Sequence, residues 1–371
     1  MPQVSNLKQI FSMFQKEDRF LGVDIGASSI KAVELQKEKE RAILKTYGEI
    51  SLSAYGPEGG MGEVGRSIVV VDKKLKEALT DLKKEAKITS KKVSLSIPLK
   101  HSFLTAVRMP RMSDRELKDS IQYEARKYIP VPLSQVIVDW WVFPPSRKQE
   151  SETSLGSGTR QFVDVFLAAV TRDVIEKYNG IFAEANLEIS DFEIECFAFA
   201  RSTVTRDLGT ILLVDIGAQN TKFLMVDGGV VRFAHNIDNG AQDLTLALSQ
   251  SMGVNFERAE ILKREFGLIH RPEAEGIAQI IEPLVDFIMM EGERFLLDWE
   301  KRGGDTISRI IVGGGGGVLR NINDAFIKRF GVEVETADPF SKVVYPAFLE
   351  HSLAEIGPTF INAIGLALKN F

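Results

Sequence analysis

The sequence is poor in several features that would each indicate a particular class of protein. It has one cysteine, Cys196, in 371 residues, so no internal disulfide can form, and its apolar neighbours predict an inert thiol. The four histidines lack the spacing of metal ligands. No run approaches the roughly 18 uninterrupted apolar residues of a membrane-spanning helix, and no apolar segment follows a basic one at the start. These absences favour a protein of the reducing cytoplasm.

Neither the charge nor the common catalytic motifs indicate a familiar enzyme class. Lysine and arginine number 46 against 51 acidic residues, a net charge of −5, so no basic excess suggests nucleic-acid binding. The sequence contains neither the G-x-x-x-x-G-K-[ST] phosphate-binding loop nor the G-x-S-x-G elbow of acyl transfer. A hydrophobic fraction of 44% and a length of 371 residues are typical of a globular protein with two or three domains.

An internal repeat is the strongest positive feature. Residues 21–31 align without a gap on residues 212–222, with seven of eleven positions identical and an offset of 191 residues. Each copy has an apolar run, an aspartate (Asp24 or Asp215), a turn at glycine and a second apolar run. This order predicts two strands joined by a short turn. The chain therefore contains two related halves.

Strand-like runs alternate with helical patterns along the rest of the chain. The alternation predicts an α/β fold with mixed sheets. Ser113 and Glu116 form a capping box that begins a further helix, which Pro130 ends. Helical patterns cover residues 73–87, 172–186, 240–252, 274–301 and 361–368, and additional strands cover 93–97, 136–142, 162–170 and 307–312.

Two segments differ in pattern from their surroundings. Residues 144–160 are rich in serine, glycine, threonine and charge without apolar periodicity, which predicts an exposed loop inside a small α/β insertion at 100–187. Residues 6–15 place apolar side chains on one helical face. They form either a terminal helix that packs on its own domain or a helix that docks on a membrane surface or a partner.

The repeated aspartate and glycine have a chemical use. A glycine turn presents backbone N–H groups to phosphate oxygens, and the preceding carboxylate can hold Mg²⁺ through water. Two copies allow two phosphate clips to face each other across a cleft. The run Gly313 to Gly317 follows a predicted strand and precedes a helix predicted over 319–330, so a base or sugar can approach its backbone closely. Val318 stands where a dinucleotide-binding G-x-G-x-x-G would need its last glycine.

These clips and the glycine run resemble the phosphate and adenosine motifs of the actin, sugar-kinase and heat-shock chaperone ATPase superfamily. Within it, residues 20–35 and 124–132 resemble the PilM family of type IV pilus assembly, related to the division protein FtsA. The resemblance covers nearly the whole chain. It implies an actin-like, ribonuclease H-like fold of two lobes, with paired mixed sheets and an inserted subdomain similar to that of FtsA.

The resemblance also implies a division of the chain into five parts. They are an N-terminal segment (1–19), a first lobe 1A (20–99 with 188–208 and 350–371), an inserted subdomain 1C (100–187), a second lobe 2A (209–239 with 303–349) and a helical subdomain 2B (240–302).

Site residues follow from the same resemblance, for ATP with Mg²⁺. Asp24 and Asp215 would hold the metal through water. Glu195 matches an acidic residue that positions water or metal, or else it is a buried capping carboxylate. The nucleotide would contact Gly26, Ala27, Ser28, Ser29, Gly217, Gln219, Asn220, Glu260, Lys263, Gly313, Gly314 and Gly315.

Three of these assignments have a competing interpretation or a departure. Glu260 and Lys263 match a helix that contacts adenine and ribose, or they lie on a solvated charged face. Lys31 and Lys222 either neutralise phosphate charge or are exposed strand lysines. Gln219 and Asn220 stand where many relatives have small hydroxyl residues, a change that nucleotide binding tolerates better than hydrolysis does.

The function implied is a cytoplasmic ATP-binding scaffold of a pilus, secretion or competence machine, with at most slow ATPase activity. Its partner would be the cytoplasmic N-terminal tail of a PilN-like inner-membrane protein, seated between the first lobe and the insertion. Self-association and the pilus motor ATPase are further implied contacts, and membrane association would be indirect. A small-molecule kinase, which needs an aspartate base, and a filament-forming protein like FtsA or MreB are the alternatives.

Overall fold

The computed structural model describes residues 19–56, 71–144, 162–205, 209–272 and 274–371, and these residues form thirteen strands and ten α-helices. The predicted N-terminal helix at 6–15 and almost all of the predicted loop at 144–160 lie outside the described residues. The strands are β1 (Arg19–Ile25), β2 (Ser29–Glu38), β3 (Arg41–Ser51), β4 (Lys92–Ile97), β5 (Ser102–Pro110), β6 (Val136–Val142), β7 (Phe162–Thr171), β8 (Glu188–Ile194), β9 (Thr210–Ile216), β10 (Thr221–Asp227), β11 (Val230–Ile237), β12 (Arg309–Gly313) and β13 (Glu333–Thr336). The helices are α1 (Asp72–Glu85), α2 (Asp114–Tyr128), α3 (Arg172–Glu184), α4 (Glu195–Thr203), α5 (Ala241–Met252), α6 (Phe256–Phe266), α7 (Glu275–Lys301), α8 (Ile322–Phe330), α9 (Glu350–Ile356) and α10 (Ile361–Ala367).

Two five-stranded sheets repeat one strand order. The first sheet runs β3-β2-β1-β4-β8 and the second runs β11-β10-β9-β12-β13. In each, three antiparallel strands are followed by two parallel ones. The apolar runs of the sequence repeat are the innermost hairpins, and every residue of β9 and β10 is buried. The predicted α/β class with mixed sheets is confirmed.

A third, antiparallel sheet of order β5-β7-β6 belongs to the predicted insertion. Helix α2 covers it with Leu117, Ile121 and Ala125, and the capping box at Ser113 and Glu116 is present. The division of the chain into lobes remains a prediction.

The core is layered between the sheets and their helices. One cluster joins the second sheet to α5, α6, α7 and α8, and another joins the first sheet to α1 and α3. Helix α8 begins at Ile322 rather than at the predicted residue 319, because Asn321 has a left-handed φ of 62°. No helix in the described part of the chain is long and apolar enough to cross a membrane.

Two glycines let backbones touch where α10 packs. A Cβ added to Gly22 in β1 would lie 2.1 Å from the carbonyl oxygen of Ala363, and one on Gly365 would lie 1.9 Å from that of Ala198 in α4. Since both distances are far below contact distance, only glycine permits β1, α10 and α4 to pack so closely.

Candidate functional site

The two repeated hairpins form the same turn in both halves. We name Asp24 to Ser29 the first clip and Asp215 to Asn220 the second clip. The N–H of Gly26 donates to the carbonyl of Ser29 over 2.9 Å, and the N–H of Gly217 donates to the carbonyl of Asn220 over 2.9 Å. The sequence repeat is therefore a repeat of backbone geometry.

Both clips line one cleft of about 570 Å³, a volume typical of small-molecule sites. Gly313 is buried at the end of β12 and is not among the lining residues. The cleft brings together these predicted site residues: Asp24, Gly26, Ala27, Ser28, Ser29, Glu195, Asp215, Gly217, Gln219, Asn220, Glu260, Lys263, Gly314 and Gly315.

A buried ion triad lies beside the second clip. The Lys222 ammonium is 2.9 Å from Asp215 Oδ2 and 2.8 Å from Glu195 Oε2, and each of these side chains is at most 8% exposed. Burial opposes the charge on Lys222, but the two carboxylates outweigh burial and raise its pKa. Lys222 thus joins the second clip to α4, and its interpretation as an exposed strand lysine is wrong.

Glu195 is the first residue of α4 and has two partners from other elements. Its Oε1 accepts a hydrogen bond of 2.7 Å from the N–H of Leu99, and its Oε2 pairs with Lys222. Burial raises the pKa of Glu195, and Asp215 and Asp24 add to this against the pull of Lys222. Glu195 therefore both lines the cleft and anchors the backbone that leads into β5.

The first clip uses its equivalent lysine differently. Lys31 donates to Ser29 Oγ over 2.6 Å and lies 3.0 Å from Glu49, whose side chain is 43% exposed. Asp24 accepts a hydrogen bond of 2.5 Å from Ser96 Oγ. The two halves therefore have the same backbone turn but different lysine partners. Lys31 pairs with Ser29 and Glu49 of its own sheet, whereas Lys222 pairs with Glu195 of α4.

Glu260 and Lys263 are buried on α6, so their interpretation as a solvated charged face is wrong. Lys263 Nζ lies 2.7 Å from Glu260 and donates to Thr245 Oγ1 over 2.9 Å. Burial raises the pKa of Glu260, but Lys263, Thr245 and Arg264 together lower it. Lys263 also donates to the carbonyl of Ala241, so its three donors are used within the protein, and Glu260 is the member of the pair that can accept a further hydrogen bond from a polar ligand.

The glycine run places backbone against the second clip. Gly314 has φ 81°, and a Cβ there would lie 2.3 Å from Asp215 Oδ1. A Cβ on Gly315 would meet no atom within 4 Å. Gly314 is therefore required for the approach of the run to Asp215, while Gly315 leaves room at the cleft wall.

The donor set fits a hydrated magnesium ion. The cleft wall carries three carboxylates close to the one ammonium of Lys222, those of Asp24, Asp215 and Glu195. Mg²⁺ favours one or two carboxylates together with waters and phosphate oxygens. In the described residues, no group of three or more His, Cys, Asp or Glu side chains is placed to hold a metal directly. The assignment of Asp24 and Asp215 as magnesium ligands through water stays a prediction.

A second cavity, of about 820 Å³, lies between the third sheet, β8 and α4. We name it the groove. Trp141 of β6 stacks on Phe166 at 4.8 Å between ring centroids and meets Phe197 of α4 edge-on at 5.1 Å. Its charged lining residues are Asp139, Glu193, Arg201, Lys342 and Lys369. The groove has an apolar floor with charges of both signs around it.

The role of Lys222 could have been read from the hairpin register. Asp24 pairs with Lys31 and Asp215 with Lys222, directly across from each other. A seven-residue spacing around a four-residue turn requires this pairing, which puts both side chains on one face. Residues that the sequence did not predict for the site also line the cleft, among them Lys100, His101 and Lys177.

Comparison with known proteins gives a consistent result. The model of the family described as "Type IV pilus assembly protein PilM" matches residues 22–371. A solved structure, a PilM-PilN type IV pilus biogenesis complex, superposes with a TM-score of 0.77 and 24% identity over 94% of this chain and 98% of that one. MreB5 of Spiroplasma citri bound to AMPPNP superposes with a TM-score of 0.52 and 12% identity over 95% and 96%. The predicted actin-like fold is confirmed.

One curated relative also matches part of the chain. The cell division protein FtsA of Bacillus subtilis is 25% identical over 159 residues, which is 41% of this chain and 36% of FtsA. The chain thus spans about a third of the length of that relative.

Proposed function

The chain belongs to the family of the type IV pilus assembly protein PilM, and on that premise we propose that it binds ATP with Mg²⁺ and couples nucleotide binding to the capture of a membrane-protein tail. The observation that carries the proposal is the single cleft lined by both clips, the glycine run and the buried Glu260 and Lys263 pair. The bound AMPPNP of the MreB5 relative supports a nucleotide in this cleft.

The clips would hold the phosphates through their turn amides, and Asp24 and Asp215 would hold Mg²⁺ through water. When bound, the metal would neutralise phosphate charge. Gly314 and Gly315 would face the nucleoside, and the Glu260 carboxylate, held by Lys263, would accept hydrogen bonds from it. Glu195 accepts a hydrogen bond from Leu99 and pairs with Lys222, so its carboxylate is fixed at the cleft wall, and hydrolysis that is slow at most remains a prediction.

The groove is the proposed seat of the tail. The first-named structural relative is a PilM-PilN complex, which supports the short cytoplasmic N-terminal tail of a PilN-like protein as the occupant. Strand β6 is the last strand of the third sheet, so its outer edge can add a peptide strand while Trp141 and Phe197 accept apolar side chains. Such binding would place the protein at the inner membrane through its partner. Self-association and contact with a motor ATPase remain predictions.

Helix α4 supports a coupling of the two sites. Glu195, its first residue, lines the cleft, whereas Phe197, Ala200 and Arg201 line the groove. A nine-residue helix is about 13 Å long, so a shift of its first turn moves the groove wall as well. Binding of phosphates by both clips would shift the equilibrium between an open and a closed cleft, because the clips contact the phosphates differently in the two states.

The nucleotide part is tested by calorimetric titration of ATP with Mg²⁺. We expect Asp24→Ala to abolish Mg²⁺-dependent binding, while Asp119→Ala, an exposed aspartate of α2, leaves it unchanged. Equal affinities of the two variants would contradict the assignment of the clip. Rapid phosphorylation of a metabolite would instead identify a kinase.

The tail part is tested by the fluorescence anisotropy of a labelled peptide with the PilN-like tail sequence. We expect Trp141→Ala to weaken binding at least tenfold, about the effect of a buried aromatic anchor. The matched control is Trp140→Ala, because Trp140 packs against the core under α2 instead of lining the groove. If both variants bind the peptide like the wild type, the groove is not the tail site.

A further inference from the structure

A short turn at the start of the third sheet brings a lysine to the second clip. Residues Leu99–His101 form a single 3₁₀ turn that leads into β5. The Lys100 ammonium lies 3.3 Å from Gln219 Oε1 in the second clip. These two residues are 119 positions apart, so the contact bridges the cleft between the third sheet and the second.

The turn that carries Lys100 is held from three directions. The N–H of Leu99 donates to Glu195 over 2.7 Å. The N–H of His101 donates to the carbonyl of Pro98 over 2.9 Å, and the Ser102 hydroxyl donates to that of Leu99 over 2.9 Å. The backbone is therefore fixed, and the long side chain of Lys100 has a defined reach into the cleft.

The present partner of Lys100 is a poor match for its charge. Gln219 offers an uncharged amide oxygen at 3.3 Å, whereas a phosphate oxygen would give a shorter, charge-assisted bond. His101 and Lys177 also line the cleft, and burial together with the charges of Lys100 and Lys177 lowers the pKa of His101, so basic side chains gather around Lys100. Clip amides would already hold phosphate beside Gln219.

We propose that Lys100 contacts the terminal phosphate of a bound nucleoside triphosphate and sets a preference for triphosphate over diphosphate. This inference rests on the proposed nucleotide binding. The nucleoside end of the cleft is assigned to α6 and the glycine run, and Lys100 comes from a different element, the insertion. A contact from Lys100 to the last phosphate would draw the third sheet, which also walls the groove, towards the second sheet.

The test compares AMPPNP and ADP, each with Mg²⁺, by calorimetry on the full chain. We expect Lys100→Met to weaken AMPPNP binding about tenfold, the effect of losing one charge-assisted hydrogen bond, with ADP affinity changed by less than about twofold. Lys100→Arg, which keeps the charge, retains the preference. Lys118→Met, an exposed lysine of α2 in the same insertion, leaves both affinities unchanged, and melting temperatures verify folding.

The outcomes are distinguishable. If the wild type binds neither nucleotide, the proposed nucleotide site fails and this inference fails with it. If the wild type binds both, and Lys100→Met weakens both equally or neither, the nucleotide site stands and the role of Lys100 is overturned.

Discussion

Replacing Lys222 with methionine tests the buried ion triad most directly. The change keeps most of the length of the side chain but removes the cation that Asp215 and Glu195 share at 2.9 and 2.8 Å. Breaking a buried charge pair by removing one partner costs about 3–5 kcal/mol. Unfolding entropy is about 2.1 cal/mol/K per residue, so over 371 residues the melting temperature should fall by about 4–6 °C.

The loss of stability in Lys222→Met should depend on pH, and the protonation of Glu195 decides in which direction. Burial raises its pKa above the ordinary value of 4.5, so protonated Glu195 favours the folded state. That contribution is fully present below pH 4.5 and is lost as the pH rises through the higher folded pKa. Without Lys222 the pKa rises further. We therefore expect a smaller loss at pH 5 than at pH 8.

The assay is thermal unfolding by circular dichroism at both pH values, with Lys31→Met as the matched control. Lys31 holds the equivalent repeat position, but its partner Glu49 is 43% exposed, so its loss should cost only about 0–1 kcal/mol. Equal melting temperatures for the two variants, or a loss from Lys222→Met that does not change with pH, would refute the reasoning.

Three further experiments give sharp outcomes. Gly314→Ala should abolish nucleotide binding measured by calorimetry, because its methyl would lie 2.3 Å from a carboxylate oxygen, whereas Gly276→Ala in α7, with no atom within 4 Å and outside the cleft, should preserve binding. Gly365→Ala should destabilise the fold by about 1–3 kcal/mol or more, while Gly180→Ala in α3, also with open space, should stabilise it by about 0.5–1 kcal/mol; urea titration separates the two. Ser113→Ala removes a capping box and should cost about 1 kcal/mol, seen as a lower melting temperature; an unchanged one would contradict the cap.

Of the patterns in the sequence, the internal repeat predicted the largest part of the fold. Both hairpins, their turns and the place of Asp24 and Asp215 follow from eleven aligned residues, because a hairpin is a local structure whose register depends on turn length. The seven-residue spacing between Asp215 and Lys222 also predicts that these residues pair across the hairpin, because the turn length fixes the register.

Contacts between distant elements could not be read in the same way. Lys100 and Gln219 are in contact although they lie 119 residues apart in the sequence. Hydrophobic periodicity predicts single helices and strands, so it cannot predict a contact between separate sheets. The pair Glu260 and Lys263 has the spacing of a solvated helix face, and its burial depends on Thr245 of α5 packing over it. Local patterns predict elements, whereas burial of charge depends on how the elements assemble.

The backbone contacts at Gly22 and Gly365 have a mechanical consequence. Because no side chain separates them at these glycines, β1, α10 and α4 form one rigid unit, with Asp24 on β1 and part of the groove wall on α4. Bending within this unit is costly because its backbones are already in contact. If nucleotide binding closes the cleft as proposed, the second sheet would move against this rigid unit, and the bond between Lys222 and Glu195 would be a side-chain contact at which the two move relative to each other.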